Sequence, residues 1–168
     1  IDYLDNSPKL APTHSFEPSI DGFEKALSYR KLSQAARDTL VEVLTEQYKD
    51  LVLSQLTRQN IADLKEQTTF TVTTGHQLNI FTGPLFFIYK IVSAINICKE
   101  LGEKFPEYKF VPVYWMASED HDFAEIDHTY VDGQSYTWET DQQGAVGRFN
   151  TAGLAALAEV IPGNTKIF

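Results

Sequence analysis

The stretch from Thr68 to Ala117 constrains this chain most. Thr69-Phe70-Thr71-Val72-Thr73-Thr74 is short and rich in β-branched residues, which suit a pleated surface and predict a strand. Gly75 to Gly83 reads as a loop. Pro84 then fits the first position of a helix, where its missing N–H is not needed. From Leu85 to about Leu101 the pattern is apolar almost all the way round and predicts a buried helix, with Gly102 as its stop. Phe110 to Ala117 reads as a second apolar strand, whose Pro112 favours its start or an edge position. Strand, loop, helix and strand make a βαβ unit, with parallel strands and a right-handed connection. The expected fold class is α/β.

Around this unit the texture differs. Residues 1–19 are punctuated by Asn6-Ser7-Pro8, Pro12 and Pro18 and read as irregular. From Ile20 to Gln67 the composition is helical. Ser33 is placed to cap a helix from Gln34 to Leu51, and Thr57 to cap another through Ile61, Leu64 and Lys65. Their mixed charges read as the outer face of helices packed on a core. Residues 1–67 are therefore expected to be an irregular segment with helices, and 68–168 the core domain. A hairpin is predicted at Asp132-Gly133 and a short helix from about Thr151 to Val160. The chain has no internal repeat or low-complexity segment.

Charge and cysteine content narrow the function classes. Lys and Arg total 14 against 23 Asp and Glu, a net charge of −9 over 168 residues. A dedicated nucleic-acid binder would need a basic face, so this balance argues against that class. No apolar run approaches the roughly 18–20 residues of a membrane span. The single cysteine, Cys98, forms no internal disulfide and reads as an inert buried thiol. A cytoplasmic location is expected. Ile1 stands where an initiating Met would, so a trimmed chain or a fragment is expected.

Ligands of parallel sheets bind beyond the carboxyl ends of the strands. Two segments leave such ends, Thr74-Gly75-His76-Gln77 with Gly83-Pro84, and Ser118-Glu119-Asp120-His121-Asp122. They converge if the strands are neighbours. Gly75 and Gly83 let the backbone approach a ligand, or simply shape a turn and a helix start. The helix beginning near Pro84 offers N–H groups to an anion, although the spacing is neither the dinucleotide nor the Walker pattern. His76 suits either donation to a phosphoryl oxygen or acid–base work. Lys90, among apolar neighbours, either snorkels to water or meets an anion. The run from Glu119 to His128 admits three readings: a substrate or nucleotide site, a turn cap with a solvated face, or a metal site. For the metal, His121, Glu125 and His128 fall at i, i+4 and i+7, one face of a helix. A metal-dependent hydrolase is the alternative enzyme on that basis. A non-catalytic interaction piece, with residues 20–67 as its surface, is the other alternative.

Together these segments resemble a known family. Thr73-Thr74-Gly75-His76-Gln77, then Gly83-Pro84-Leu85-Phe86-Phe87-Ile88-Tyr89-Lys90-Ile91, then Val111 to Phe123 with its Ser118-Glu119-Asp120-His121-Asp122, are similar to the cysteine ligase (BshC) family of bacillithiol biosynthesis. Glu125 and His128-Thr129-Tyr130-Val131 continue the likeness. It departs where many members carry a second Gln and this chain has His76, and where they carry Gly and it has Asn79.

The resemblance implies a Rossmann-like parallel sheet similar to class I synthetases and nucleotidyltransferases, with N-terminal helices. It also implies a reaction: joining the carboxyl group of cysteine to the amine of glucosaminyl malate. ATP would activate cysteine as an adenylate. On this likeness His76, Asp120, His121 and Asp122 carry catalysis, and Thr74, Gly75 and Gly83 hold the nucleotide. Gln77, Asn79, Lys90 and Glu119 bind substrate, with Lys90 meeting malyl carboxylates. No metal is expected. Family members are far longer and a homodimer is expected of them, so this portion is expected to be inactive alone.

Overall fold

The structure, a computed structural model, describes residues 2–5 and 7–162. Asn6, read above as a chain breaker, and the last residues of the span 68–168 lie outside the described residues. Chain contacts define two compact units, residues 1–72 with 97–111, and residues 73–96 with 112–168.

In the first unit a single 3₁₀ turn, Pro8–Leu10, interrupts an otherwise irregular start. Three helices follow: α1 (Ile20–Tyr29), α2 (Gln34–Gln47) and α3 (Gln55–Asp63). Each begins at a serine whose hydroxyl accepts a backbone N–H, Ser19 from Gly22, Ser33 from Ala36 and Ser54 from Thr57. The predicted cap at Thr57 is therefore corrected. Ser54, three residues earlier, is the cap, and Thr57 supplies the N–H that it accepts. Helix α2 also stops at Gln47, short of Leu51. Arg37 is buried and fastens α2 to the end of α3, its Nη1 donating to the Leu64 carbonyl at 2.9 Å. Leu64, Cys98, Leu101, Phe105 and Val111 form the apolar interior of this unit. On its surface Lys109 meets Asp63 at 2.7 Å and Glu66 at 2.9 Å.

The βαβ unit is present. Strand β1 (Thr69–Gln77) and strand β2 (Lys109–Ala117) are hydrogen-bonded neighbours, joined through helix α4 (Leu85–Lys104). At their starts the Lys109 N–H donates to the Thr68 carbonyl at 3.0 Å, and near their ends Gly75 lies against Trp115, so the strands run parallel. β1 continues three residues beyond the β-branched run, which puts Gly75, His76 and Gln77 on the strand and not on a loop. Pro84 precedes α4 and accepts the Phe87 N–H at 2.9 Å, which makes it the cap residue.

Two expectations for α4 are overturned. The helix passes through Gly102, where the backbone is not left-handed and nothing lies within 4 Å, so nothing there requires a stop. It ends instead at Phe105-Pro106, because the residue before a proline is driven out of helical conformation. Nor is α4 buried all round. Ala94, Cys98 and Leu101 form its buried stripe, whereas Leu85, Phe86, Ile88, Tyr89, Val92 and Ile95 are exposed. An all-round apolar pattern signals partners on every side, and among the described residues one side has none.

The second unit continues with a hairpin of β3 (His128–Val131) and β4 (Gln134–Thr137), antiparallel, with Val131 paired to Gln134. Its turn residues Asp132 and Gly133 have φ of 50° and 79°, the two positive values a two-residue primed turn requires. Helix α5 (Leu154–Val160) closes the described chain. Ile80, Ala94, Ile126, Trp138 and Val146 are the buried apolar residues of this unit, and Trp138 meets Phe123 and Phe149 edge to face, those two rings being tilted to each other.

Candidate functional site

The site residues all belong to the second unit: Thr74 to Gln77 end β1, Asn79 and Gly83 lie in the segment that follows, Lys90 is on α4, and Glu119 to Asp122 follow β2. His76 is half-buried at the end of β1. Its ring packs tilted against Phe86 at 5.1 Å and edge-on to Phe87 at 5.9 Å, both from the first turn of α4. Its Nδ1 lies 3.0 Å from Asn79 Nδ2 and 3.1 Å from the Gln77 carbonyl oxygen. The Tyr114 hydroxyl donates to the His76 carbonyl at 3.2 Å, and burial pushes that phenol above its ordinary range. All described contacts of the imidazole nitrogens are thus on Nδ1, which leaves Nε2 for a ligand.

Two expectations about backbone freedom change. A Cβ at Gly75 would come 3.0 Å from the Trp115 carbonyl oxygen, so this glycine admits the neighbouring strand. Gly83 has φ +61°, and a Cβ there would come 2.9 Å from the Asn79 side chain. The room that each glycine leaves is filled by the chain itself. The groups that remain are His76 Nε2, whose role depends on the tautomer, and the first-turn N–H groups of α4 other than that of Phe87, which Pro84 accepts. This set fits an anion. Lys90 is exposed and donates to the Gly75 carbonyl, a backbone partner that neither predicted fate included.

Ser118 to Asp122 forms a turn beyond β2. Asp120 Oδ1 accepts the Asp122 N–H at 2.8 Å, so this carboxylate shapes its own turn, and Glu119, His121 and Asp122 are open to solvent. The end of β1 is tied to the chain that follows the acidic turn, through Gln77, which donates to Glu125, and through the Ile80 N–H, which reaches the Ile126 carbonyl at 3.4 Å. The hydrogen bonds between them are made by these residues and not by His76 with His121.

The metal constellation is corrected. His121 lies on a turn, Glu125 ends a 3₁₀ turn (Phe123–Glu125), and His128 begins β3, so no helix face gathers them. Glu125 is engaged by Gln77, and His128 Nδ1 by Asp127 at 2.6 Å. Among the described residues no group of three or more His, Cys, Asp or Glu could hold a metal ion.

Gly147 escaped the sequence reading. Its N–H donates to the Ser118 carbonyl at 2.9 Å, and the Val146 N–H donates to the Asp120 carbonyl at 2.8 Å. Val146–Arg148 is thus a strap across the acidic turn. A Cβ at Gly147 would come 2.4 Å from Ser118 Cβ, which is why the residue is glycine. The signal in the sequence was a second glycine closely following Gly144, in a segment too short for a periodic pattern.

A parallel strand–helix–strand unit whose polar residues lie at and beyond the strands' carboxyl ends defines a Rossmann-like α/β domain. Comparison with known proteins agrees. The family model "Bacillithiol biosynthesis BshC, N-terminal Rossmann-like domain" matches residues 1–167. The chain belongs to the BshC family. It is 49% identical over 157 residues to the "Putative cysteine ligase BshC" of Flavobacterium psychrophilum, covering 92% of this chain and 30% of that protein. A relative of the same name from Cytophaga hutchinsonii is 50% identical over 161 residues, 96% of this chain and 31% of the relative. One from Bacillus cytotoxicus is 36% identical over 130 residues, 77% of this chain and 24% of the relative. The chain spans about 30% of the length of the first two relatives. No helix of the described residues is long and apolar enough to cross a membrane.

Proposed function

We propose that this chain forms part of a ligase that joins the carboxyl group of cysteine to the amine of glucosaminyl malate, the cysteine-adding step of bacillithiol biosynthesis. The observation that carries the reading is the family match over residues 1–167, together with relatives named as cysteine ligases at up to 50% identity. The half-buried His76 at the end of β1 and the solvent-open acidic turn after β2 are compatible with it.

An amine does not displace oxide from a carboxylate at neutral pH, so the carboxyl group must first be activated; ATP supplies that activation when bound. His76, through Nε2, and the first turn of α4 hold phosphate oxygens. Thr74, Gly75 and Gly83 shape the backbone that carries those groups. Asp120 and Asp122 bind an amino group or accept the proton that the attacking amine releases, and His121 stabilises charge that develops in transfer. Glu119 and Gln77 line the substrate side. Lys90 has two further N–H groups besides the one given to Gly75, and these suit a malyl carboxylate. On this reading the full-length enzyme is a cytoplasmic homodimer that acts on small molecules.

The test uses the full-length enzyme with cysteine, glucosaminyl malate and ATP, and mass spectrometry of the products. The amide product is expected. Asp120→Ala or His121→Ala is expected to lower turnover at least about tenfold, the lower range for acid–base groups being 10². Unchanged turnover in both variants would refute these roles.

A further inference from the structure

We propose that the cavity between α1, α2 and the start of β1 is a second ligand site, which takes the phosphate group of an organic phosphate monoester on Arg37, Arg30 and Lys31. All its lining residues belong to the first unit, and it shares none with the site around His76.

The cavity has a volume of about 560 Å³, within the range of small-molecule sites. Arg30, Lys31 and Arg37 line it together with no acidic residue, in a chain whose net charge is −9. That clustering runs against the composition. Ser33, also in the lining, is the N-cap of α2, so the positive end of a 14-residue helix lies at the same space. The N–H groups of Gln34 and Ala35 precede any helical carbonyl that could accept them.

Arg37 supplies an independent observation. It is only 6% exposed, yet no ion pair of the described residues includes it. The neighbouring carboxylate, Asp38, accepts from Gln34 at 3.0 Å and lies 3.9 Å from Lys65. The guanidinium donates to carbonyls alone, from Nη1 to Leu64 at 2.9 Å and from Nη2 to Gln67 at 3.5 Å, and its Nε has no partner. The longer bond is beyond the usual range, so Nη2 is the bonded nitrogen least committed. Leu64 is the C-cap of α3, whose negative end offsets about half a charge. Burying the remainder without a counter-charge is costly, and an anion in the cavity removes that cost.

The chemistry narrows the anion. Three cations and a helix terminus match a phosphate monoester, which carries close to two charges at neutral pH, better than a carboxylate with one. The fork of an arginine pairs two of its oxygens. Leu27 and Phe70 give the cavity an apolar wall, which suits the organic body that bears the phosphate.

The test is calorimetric titration of the full-length protein with phenyl phosphate, and with benzoate as the carboxylate control. Arg37 also braces α2 against α3, so its replacement would mix folding with binding. The double variant Arg30→Glu/Lys31→Glu reverses two exposed charges instead. Phenyl phosphate is expected to bind at least about tenfold more weakly to this variant, and Arg30→Gln/Lys31→Gln should fall between the two. The unaltered protein should bind benzoate at least about tenfold more weakly than phenyl phosphate. Binding that survives His76→Gln and is lost in the charge-reversed variant supports the site. Binding that His76→Gln abolishes and the charge-reversed variant retains belongs to the site around His76 and overturns it. Absence of binding, an affinity unchanged by charge reversal, or equal affinity for benzoate overturns it as well, and each leaves the reading of His76 untouched.

Discussion

Replacing Gly147 by alanine tests whether the strap over the acidic turn is held as described. The added Cβ would come 2.4 Å from Ser118 Cβ and 2.7 Å from the Ser118 oxygen, whereas ordinary contact begins near 3.4 Å. The strap must retreat by about 1 Å, the difference between those distances. Its two hydrogen bonds, 2.9 Å from Gly147 to Ser118 and 2.8 Å from Val146 to Asp120, would then stretch beyond bonding range. Each contributes about 0.5–1.5 kcal/mol net, so detachment costs about 1–3 kcal/mol. Staying in place would cost about as much in overpacking. Opening becomes roughly 5- to 150-fold more frequent on that scale. Amide hydrogen exchange at Val146 is the assay, because that N–H is both buried and one of the two bonds. Faster exchange by that factor is expected, with lower turnover if Asp120 is catalytic. Unaltered exchange would refute the strap.

Other substitutions separate space from conformation. Gly102→Ala fills open space inside α4 and should raise stability by about 0.5–1 kcal/mol in urea unfolding. Gly133→Ala also enters open space, but its φ of +79° should lower stability by about 1–2 kcal/mol. Ser54→Ala should cost about 0.5–2 kcal/mol, and Thr57→Ala clearly less, by the same measurement. Burial pushes the Cys98 thiol above its ordinary 9.0. A raised folded value means that the buried thiol stabilises fully below pH 9 and loses that contribution as pH rises through the folded value. The melting temperature of the unaltered protein should therefore fall more steeply above pH 9 than that of Cys98→Ala, and parallel curves would refute the effect.

Local signals in the sequence were legible where one residue decides the geometry. The β-branched run placed β1, Asp132-Gly133 placed the hairpin, and Ser33 placed the start of α2. Failures arose where the outcome depends on a neighbour remote in sequence. Gly75 reads as a loop residue or ligand cradle, yet Trp115 across the strand pair decides its role. His121, Glu125 and His128 have helical spacing, but Glu125 sits in a 3₁₀ turn and His128 in a hairpin, so the spacing has no face to act on. The apolar pattern of α4 records how much surface can be covered without saying what covers it. Lys90 found a backbone carbonyl, a partner that composition cannot reveal. The end of α4 was legible in principle, in Phe105-Pro106, but Gly102 is the more conspicuous punctuation.

The central claim is that the chain serves the cysteine-adding step, and its most direct test is mass spectrometry of thiols and precursors in source cells with and without the parent gene. Loss of bacillithiol with accumulation of glucosaminyl malate is predicted. Unchanged bacillithiol in cells lacking the gene, with no second copy present, would contradict it.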